Sequence, residues 1–239
     1  MSGFKVLQPG LLTLIQDAGR FGHHRIGLTN GGPLDTQAFK WANRLLGNPL
    51  NSTLLEVSIG GLVLASEVDT FLVVTGAEMP LKINGVEQDR WHAHRIRQGD
   101  RIELGFSKQG ARAYLAVTDG FDIQHDFSSS ATVSREGIGG LNGGKLQPGD
   151  YLPCSSNTKG QSFRLAEQHR PQYQDNINLR VITGYQQQAF SDVDKRMFFS
   201  SEYEVTDRAD RMGYRLSGPE IKAAMEGILS EGICHGAIE

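Results

Sequence analysis

GGLVLASEVDTFLVVTGAEMPLKINGVEQD, residues 60–89, decides the fold. Leu62-Val63-Leu64 and Phe71-Leu72-Val73-Val74 are short apolar runs rich in β-branched and aromatic residues, bounded by Gly or Asp, which is the pattern of strands. Asn84-Gly85 adds a turn signal. Working outward, Tyr114-Leu115-Ala116-Val117 is a further run of the same kind, and turns recur at Gln98-Gly99-Asp100, Asp119-Gly120 and Gln147-Pro148-Gly149-Asp150. That spacing suits a barrel or sandwich better than alternating strands and helices. Glycine agrees: there are 29 in 239 residues, spread along the chain, where average usage gives roughly 17. The expected fold is mainly β.

One helix is well signalled, over residues 33–46. Pro33 suits a first helical position and Asp35 the positive first turn; Leu34, Ala38, Trp41, Ala42 and Leu45 keep helical spacing until Gly47. A weaker helical stretch runs from Asp192 to Met197, with Ser191 as its cap. Between Ser155 and Asn178 the chain turns polar without alternation, which reads as a connection between a first domain, 1–175, and a second, 176–239. The halves share a faint echo. Arg20-Phe21-Gly22-His23, after Asp17 and before Gly32-Pro33, is matched by Arg211-Met212-Gly213-Tyr214, after Asp210 and before Gly218-Pro219.

A net charge of -3 lacks the positive excess that nucleic acid or anionic lipid selects. Cys154 and Cys234, 80 positions apart, suggest neither a disulfide framework nor a zinc site, and both read as small buried hydrophobes. No secretion signal or membrane span is expected, and a cytoplasmic setting fits.

Gly139-Gly140-Leu141-Asn142-Gly143-Gly144-Lys145-Leu146 satisfies G-x-x-x-x-G-K, yet Leu146 stands where a phosphate loop needs a hydroxyl for magnesium, and a turn follows instead of a helix. It reads as a flexible hairpin. His92-Ala93-His94 with Glu103 has the spacing of a barrel metal site, but Arg90, Arg95 and Arg97 oppose a cation, so no metal is expected. Ser128-Ser129-Ser130 and the scattered histidines define no catalytic triad, and no catalytic residue is assigned. More informative are the polar residues beside glycines. Gln16, Asp17 and Arg20 put an amide, a carboxylate and a guanidinium on one short segment, and Asp210, Arg211, Tyr214 and Arg215 repeat that inventory. Such clusters can bind a planar carboxylated or ureido ligand, or simply form a surface salt-bridge network.

The segments LLTLIQDAGRFGHHRIG, GGPLDTQAFKWANRLLGN, LLEVSIGG, SSATVSREGIGG with LQPGD, DRMGYRL and SEGICHGAI, in that order, resemble the biotin-dependent carboxyltransferase family of allophanate hydrolase subunit 2 type, whose stand-alone bacterial members are like the C-type subunit of 5-oxoprolinase. The resemblance implies two cyclophilin-like β-barrels. Members continue past GAI with further strand-forming blocks where Glu239 stands here, so the second barrel is expected to be incomplete at its C-terminus. It also implies a subunit of an ATP-dependent complex that opens 5-oxo-L-proline to L-glutamate, with two partners: the B-type subunit of 5-oxoprolinase, of related fold, and an A-type lactam-utilisation protein. ATP then belongs to the complex rather than to this chain. One alternative is carboxyl transfer from carboxybiotin in a urea/allophanate-type system, with biotin on another chain because no Met-Lys-Met motif occurs here; another is a regulatory antagonist of a histidine-kinase inhibitor. Substrate-binding residues implied are Gln16, Asp17, Arg20, Asp210, Arg211, Tyr214 and Arg215, with Arg20 and Arg211 as paired anchors. Asp35 and Asn43, also in the motifs, read as helix residues.

Overall fold

In the strand run Thr70–Gly76 every residue is buried, and alternate side chains serve different clusters. Leu72 and Val74 join one, Phe71 and Val73 the other. Successive strand residues point to opposite faces, so an unbroken apolar run marks a strand covered on both sides. The computed structural model describes residues 2–159, 162–225, 227, 233–234 and 236–238. The chain divides into two compact units, Met1–Ile177 and Asn178–Glu239.

The first unit contains β1 (Gly3–Pro9), β2 (Leu12–Gln16), helix α1 (Thr36–Leu45), β3 (Leu54–Ser58), β4 (Leu62–Ser66), β5 (Thr70–Gly76), β6 (Leu81–Ile83), β7 (Val86–Gln88), β8 (His94–Ile96), β9 (Arg101–Leu104), β10 (Arg112–Val117) and β11 (Tyr151–Pro153). They form a six-stranded sheet in the order β11-β1-β4-β9-β6-β7 and a five-stranded sheet in the order β2-β3-β10-β5-β8. Every pairing is antiparallel, and the mainly β expectation holds. Phe4 and Leu64 of the first sheet share a core with Leu55, Leu72 and Leu115 of the second. On the other face of the second sheet, Ala38, Phe39, Ala42 and Leu45 of α1 cover Val73, Tyr114 and Ala116. Asn84-Gly85 joins Ile83 to Val86 with φ 53° and 79°, the left-handed pair that a tight hairpin needs.

Helix α1 starts later than its proline suggested. Asp35 is the N-cap, its carboxylate accepting from the Ala38 amide at 2.9 Å, and Pro33 lies outside the helix. The polar stretch after Ser155 is not a bare connection. Ala93 donates to the Phe163 carbonyl and Leu165 to the Trp91 carbonyl, both at 2.9 Å, and Leu165 is buried in the α1 cluster. The Gly139–Leu146 loop is packed rather than flexible: Leu146 is buried, its amide donates to the Thr13 carbonyl at 3.0 Å, and a Cβ on Gly143 would meet the Gly137 backbone at 2.2 Å.

The second unit carries α2 (Asp192–Ser200), a second helix of nine residues capped by Ser191, and a hairpin of β12 (Glu204–Ala209) and β13 (Tyr214–Ser217). Among the described residues its other regular element is a 3-10 helix, Tyr185–Ala189, and a bridge joins Phe190 to Ala223. The cysteines divide. Cys154 is buried, which pushes its thiol up to about 12, whereas Cys234 is exposed, correcting the expectation that both are core residues. No helix among the described residues is long and apolar enough to cross a membrane.

Candidate functional site

Strand β2 delivers Gln16 and then ends, because Asp17 bends its carboxylate back to accept from the Gly19 amide at 2.8 Å. This is an Asx turn, which replaces a ladder bond by a local one. Gly19 has φ 101°, and a Cβ there would meet the Asn30 carbonyl oxygen at 2.8 Å, so only glycine fits. Arg20 donates its amide to that same carbonyl at 2.7 Å, closing a loop over residues 20–30.

The three polar side chains turn inward onto a segment more than a hundred residues away. Gln16 Nε2 donates to the Thr132 carbonyl at 3.1 Å, while its Oε1 accepts from the Gly32 amide at 3.0 Å. Asp17 accepts from the Ser129 hydroxyl at 2.6 Å and the Ser130 amide at 2.7 Å. Arg20, 1% exposed, donates from Nη2 to the Ala131 carbonyl at 2.6 Å and more weakly from Nε to the Asp126 carbonyl at 3.5 Å. A Cβ on Gly139 would stand 2.0 Å from the Ala131 oxygen and 3.0 Å from Nη2, so this glycine makes room for the guanidinium. The cluster is neither a surface salt-bridge network nor an open pocket; it clamps the 126–140 loop. Two donors of the clamp are buried with no hydrogen-bond partner among the described residues: Arg20 Nη1, beside Gly31, and the Thr132 hydroxyl.

A second buried network lies under α1. Tyr114 donates to Glu56 Oε2 at 2.9 Å and accepts from the Asp35 amide at 2.7 Å; Glu56 also accepts from the Leu34 amide, at 3.1 Å. Burial, then the Glu56 charge, pushes the Tyr114 phenol up, so it stays a neutral donor. Tyr173, from the connecting segment, donates to Asp35 Oδ2 at 2.6 Å, and burial followed by that bond raises its phenol too. Asn43 donates to the Ser52 carbonyl at 3.0 Å and accepts from Asn48 at 3.1 Å, a structural role as expected for both helix residues.

The remaining candidates sit on the hairpin of the second unit. Asp210 follows β12 and accepts from the Met212 amide at 2.7 Å and the Gly213 amide at 3.1 Å. Arg211 is half-buried; Tyr214 and Arg215 are exposed. His92 and His94 do approach each other, with ring centroids 4.5 Å apart, but His94 meets the Asp89 carbonyl and His92 the Ser162 hydroxyl. Glu103 is on β9 in the other sheet, bonded to Arg101 at 3.0 Å. Among the described residues no group of three His, Cys, Asp or Glu is placed to hold a metal. A polar cleft of about 190 Å³ beside β7, lined by Glu78, Glu87, Asp89, Arg90, Lys108 and Arg170 among others, contains none of the motif residues.

Sequence reasoning missed Ser129, Ser130 and Asp126 as members of the first network. Their one signal is the serine run ahead of paired glycines, which says nothing about a partner at Asp17.

Over 240 residues the chain is 32% identical to the C-type subunit of 5-oxoprolinase from Escherichia coli K12, covering 98% of this chain and 75% of that one. It is 30% identical over 233 residues to the urea amidolyase of Saccharomyces cerevisiae, covering 93% of this chain but 13% of that much longer one. The crystal structure of the K. lactis urea amidolyase superposes with a TM-score of 0.80 at 29% identity, over 94% of this chain and 14% of that one. The family model of the carboxyltransferase domain, subdomain A and B, matches residues 26–239, and the chain belongs to that family.

Proposed function

We propose that this chain is one component of an ATP-dependent 5-oxoprolinase, the complex that hydrolyses 5-oxo-L-proline to L-glutamate. The observation that carries this reading is coverage: 98% of the chain aligns with three quarters of a protein named as the C-type subunit of 5-oxoprolinase, whereas urea amidolyase is matched over a 13% fraction. The substrate is a lactam with one carboxylate. On this reading Gln16 and Asp17 hold the 126–140 loop, and Arg20 Nη1, which has no hydrogen-bond partner among the described residues, is the cationic donor left for an anion. Asp210, Arg211, Tyr214 and Arg215, on the hairpin of the second unit, are a separate set of substrate-binding candidates. ATP is used by the assembly, because the Gly139–Leu146 loop offers no hydroxyl after Lys145 and leads into a turn. The partners are a B-type subunit of related fold and an A-type lactam-utilisation protein.

The urea-type reading is favoured by one specific finding, the similarity to urea amidolyase and its solved structure. In that case the acceptor is urea and biotin arrives on another chain. Reconstitution separates the two. The chain mixed with A-type and B-type subunits should release glutamate and ADP from 5-oxoproline, and the chain alone should release neither. Ring opening by the single chain, or carboxylation of urea from a carboxybiotin carrier without ring opening, overturns the assignment.

A further inference from the structure

The loop that Asp17 and Arg20 clamp begins with an unusual turn. Asp126 and Ser129 exchange backbone hydrogen bonds at 2.9 and 3.3 Å, and Phe127 and Ser128 between them have φ 53° and 64°. Two left-handed residues at the centre of a two-residue reversal is the type I′ pattern, for which Asn-Gly is the favoured pair. A bulky residue at positive φ is an outlier, and such strain persists where the surroundings over-determine it, commonly at functional sites. Here they do: Asp17 holds Ser129 and Ser130, Arg20 holds Ala131, and Asp126 Oδ2 accepts from the Gly139 amide at 3.1 Å.

What this scaffold displays is an aromatic ring. Phe127 is 47% exposed, its ring edge-on to His23 at a centroid distance of 5.3 Å. His23 leads into the 3-10 turn His24–Ile26, and Phe21 and Ile26, at either end of this short segment, are 67% and 63% exposed. Thr29 donates its amide to Glu136 at 3.1 Å, and its hydroxyl to the same carboxylate, sewing the two loops together. The acidic groups of the knob are therefore spent internally. Arg25 and Arg135 are exposed, and neither forms an ion pair among the described residues.

We propose that this knob is a protein-docking surface: Phe127 enters an apolar socket on a second subunit, whose rim carries carboxylates opposite Arg25 and Arg135. Buried aromatic anchors with arginines beside them are what dominates such interfaces. An anionic bilayer fits less well, because two arginines fall short of the roughly four to eight clustered cations that lipid recognition uses, and the chain carries a net charge of -3. The inference rests on the reading of this chain as one component of a complex.

The test uses the full chain, with a purified B-type subunit for the probe. The double variant Phe127→Asn, Ser128→Gly installs the pair the turn prefers, so Tm should hold or rise while Kd for the probe, measured by calorimetry, increases at least about tenfold, as loss of a central aromatic anchor does. Arg25→Glu with Arg135→Glu should slow association and flatten its salt dependence. An unchanged Kd in the Asn-Gly variant overturns the knob while leaving the reading of the chain as a complex component intact. A fall in Tm in that variant overturns the assignment of strain. Absence of binding by the wild-type chain overturns the complex reading itself, and adsorption of that non-binding chain to phosphatidylglycerol-containing vesicles gives the surface to lipid instead.

Discussion

Asp17 follows β2 and Asp210 follows β12, and each carboxylate turns back onto an amide two residues ahead, Gly19 at 2.8 Å and Met212 at 2.7 Å. The local chemistry is the same. What differs is the use of the remaining lone pairs. Asp17 spends them on the hydroxyl of Ser129 and the amide of Ser130, and is buried; Asp210 spends them on Gly213, three residues away, and is exposed. The pairing also shows where the sequence echo misleads. Superposing the two Asx turns puts Asp17 on Asp210, but Arg20 is three residues past its aspartate and Arg211 only one, so the arginines fall out of step. An Asx turn is a cheap local solution that any strand end can reach; a buried carboxylate with long-range partners is a structural commitment.

The strongest way to break this comparison is to remove both carboxylates. Asp17→Ala leaves a buried hydroxyl and a buried amide without acceptors, at about 1–3 kcal/mol each, so a loss of roughly 2–6 kcal/mol and a Tm fall on the order of 4–24 °C are expected. Asp210→Ala should stay within about 1 kcal/mol, as exposed sites do. Thermal denaturation of the two variants decides it, and equal losses would erase the distinction. Hydrogen exchange sharpens the same point, with the Ser130 amide protected and the Met212 amide exchanging fast.

Next in size is the pair of arginines. Arg20→Lys keeps the charge but loses the fork that reaches the Ala131 carbonyl, a charged hydrogen bond worth about 1.5–3 kcal/mol. Stability should fall accordingly, as it would not for an exposed anchor. Arg211→Lys should alter Tm far less. In the reconstituted complex, a drop in kcat/KM for Arg20→Lys beyond what its stability loss explains would mark Nη1 as a ligand donor.

The smallest effect lies within the first unit. Burial, then the neighbouring His94 ring and Arg164, holds His92 below its ordinary 6.5, so the unfolded chain takes up the proton first as pH falls. That contribution is intact above pH 6.5 and erodes below it. Because His92 is only half-buried, the change is slight: the Tm loss between about pH 7.5 and 5.5 should be marginally smaller in His92→Gln. A larger loss in that variant would reverse the sign.

Local signals are legible in the sequence, and remote ones are not. Asp35 and Ser191 cap helices because a short polar side chain can reach the first-turn amides, and Asn84-Gly85 turns because both residues tolerate positive φ. The motif residues Gln16, Asp17 and Arg20 stand out by their company of glycines. Their partners do not, since Ser129 is 112 positions from Asp17 and nothing in a periodic pattern encodes that distance. Leu165 and Tyr173 are hidden for a related reason: single anchors in a polar stretch have no periodicity to betray them. Phe127 and Ser128 escape a sequence reading because a type I′ turn is sought at Asn-Gly, and here the turn's own preference has been overridden by what holds it.

Strand β1 pairs on one side with β4 and on the other with β11, where Gly3 faces Pro153. During synthesis that second neighbour does not exist until about 150 residues have followed the first, and at roughly 5–20 residues per second the wait is on the order of 8–30 s. Over that interval the outer edge of β1 is an open row of backbone donors and acceptors, able to recruit other strands. Ribosome-bound chains arrested before β11 emerges should therefore engage chaperones, and chains arrested well beyond it should be released from them.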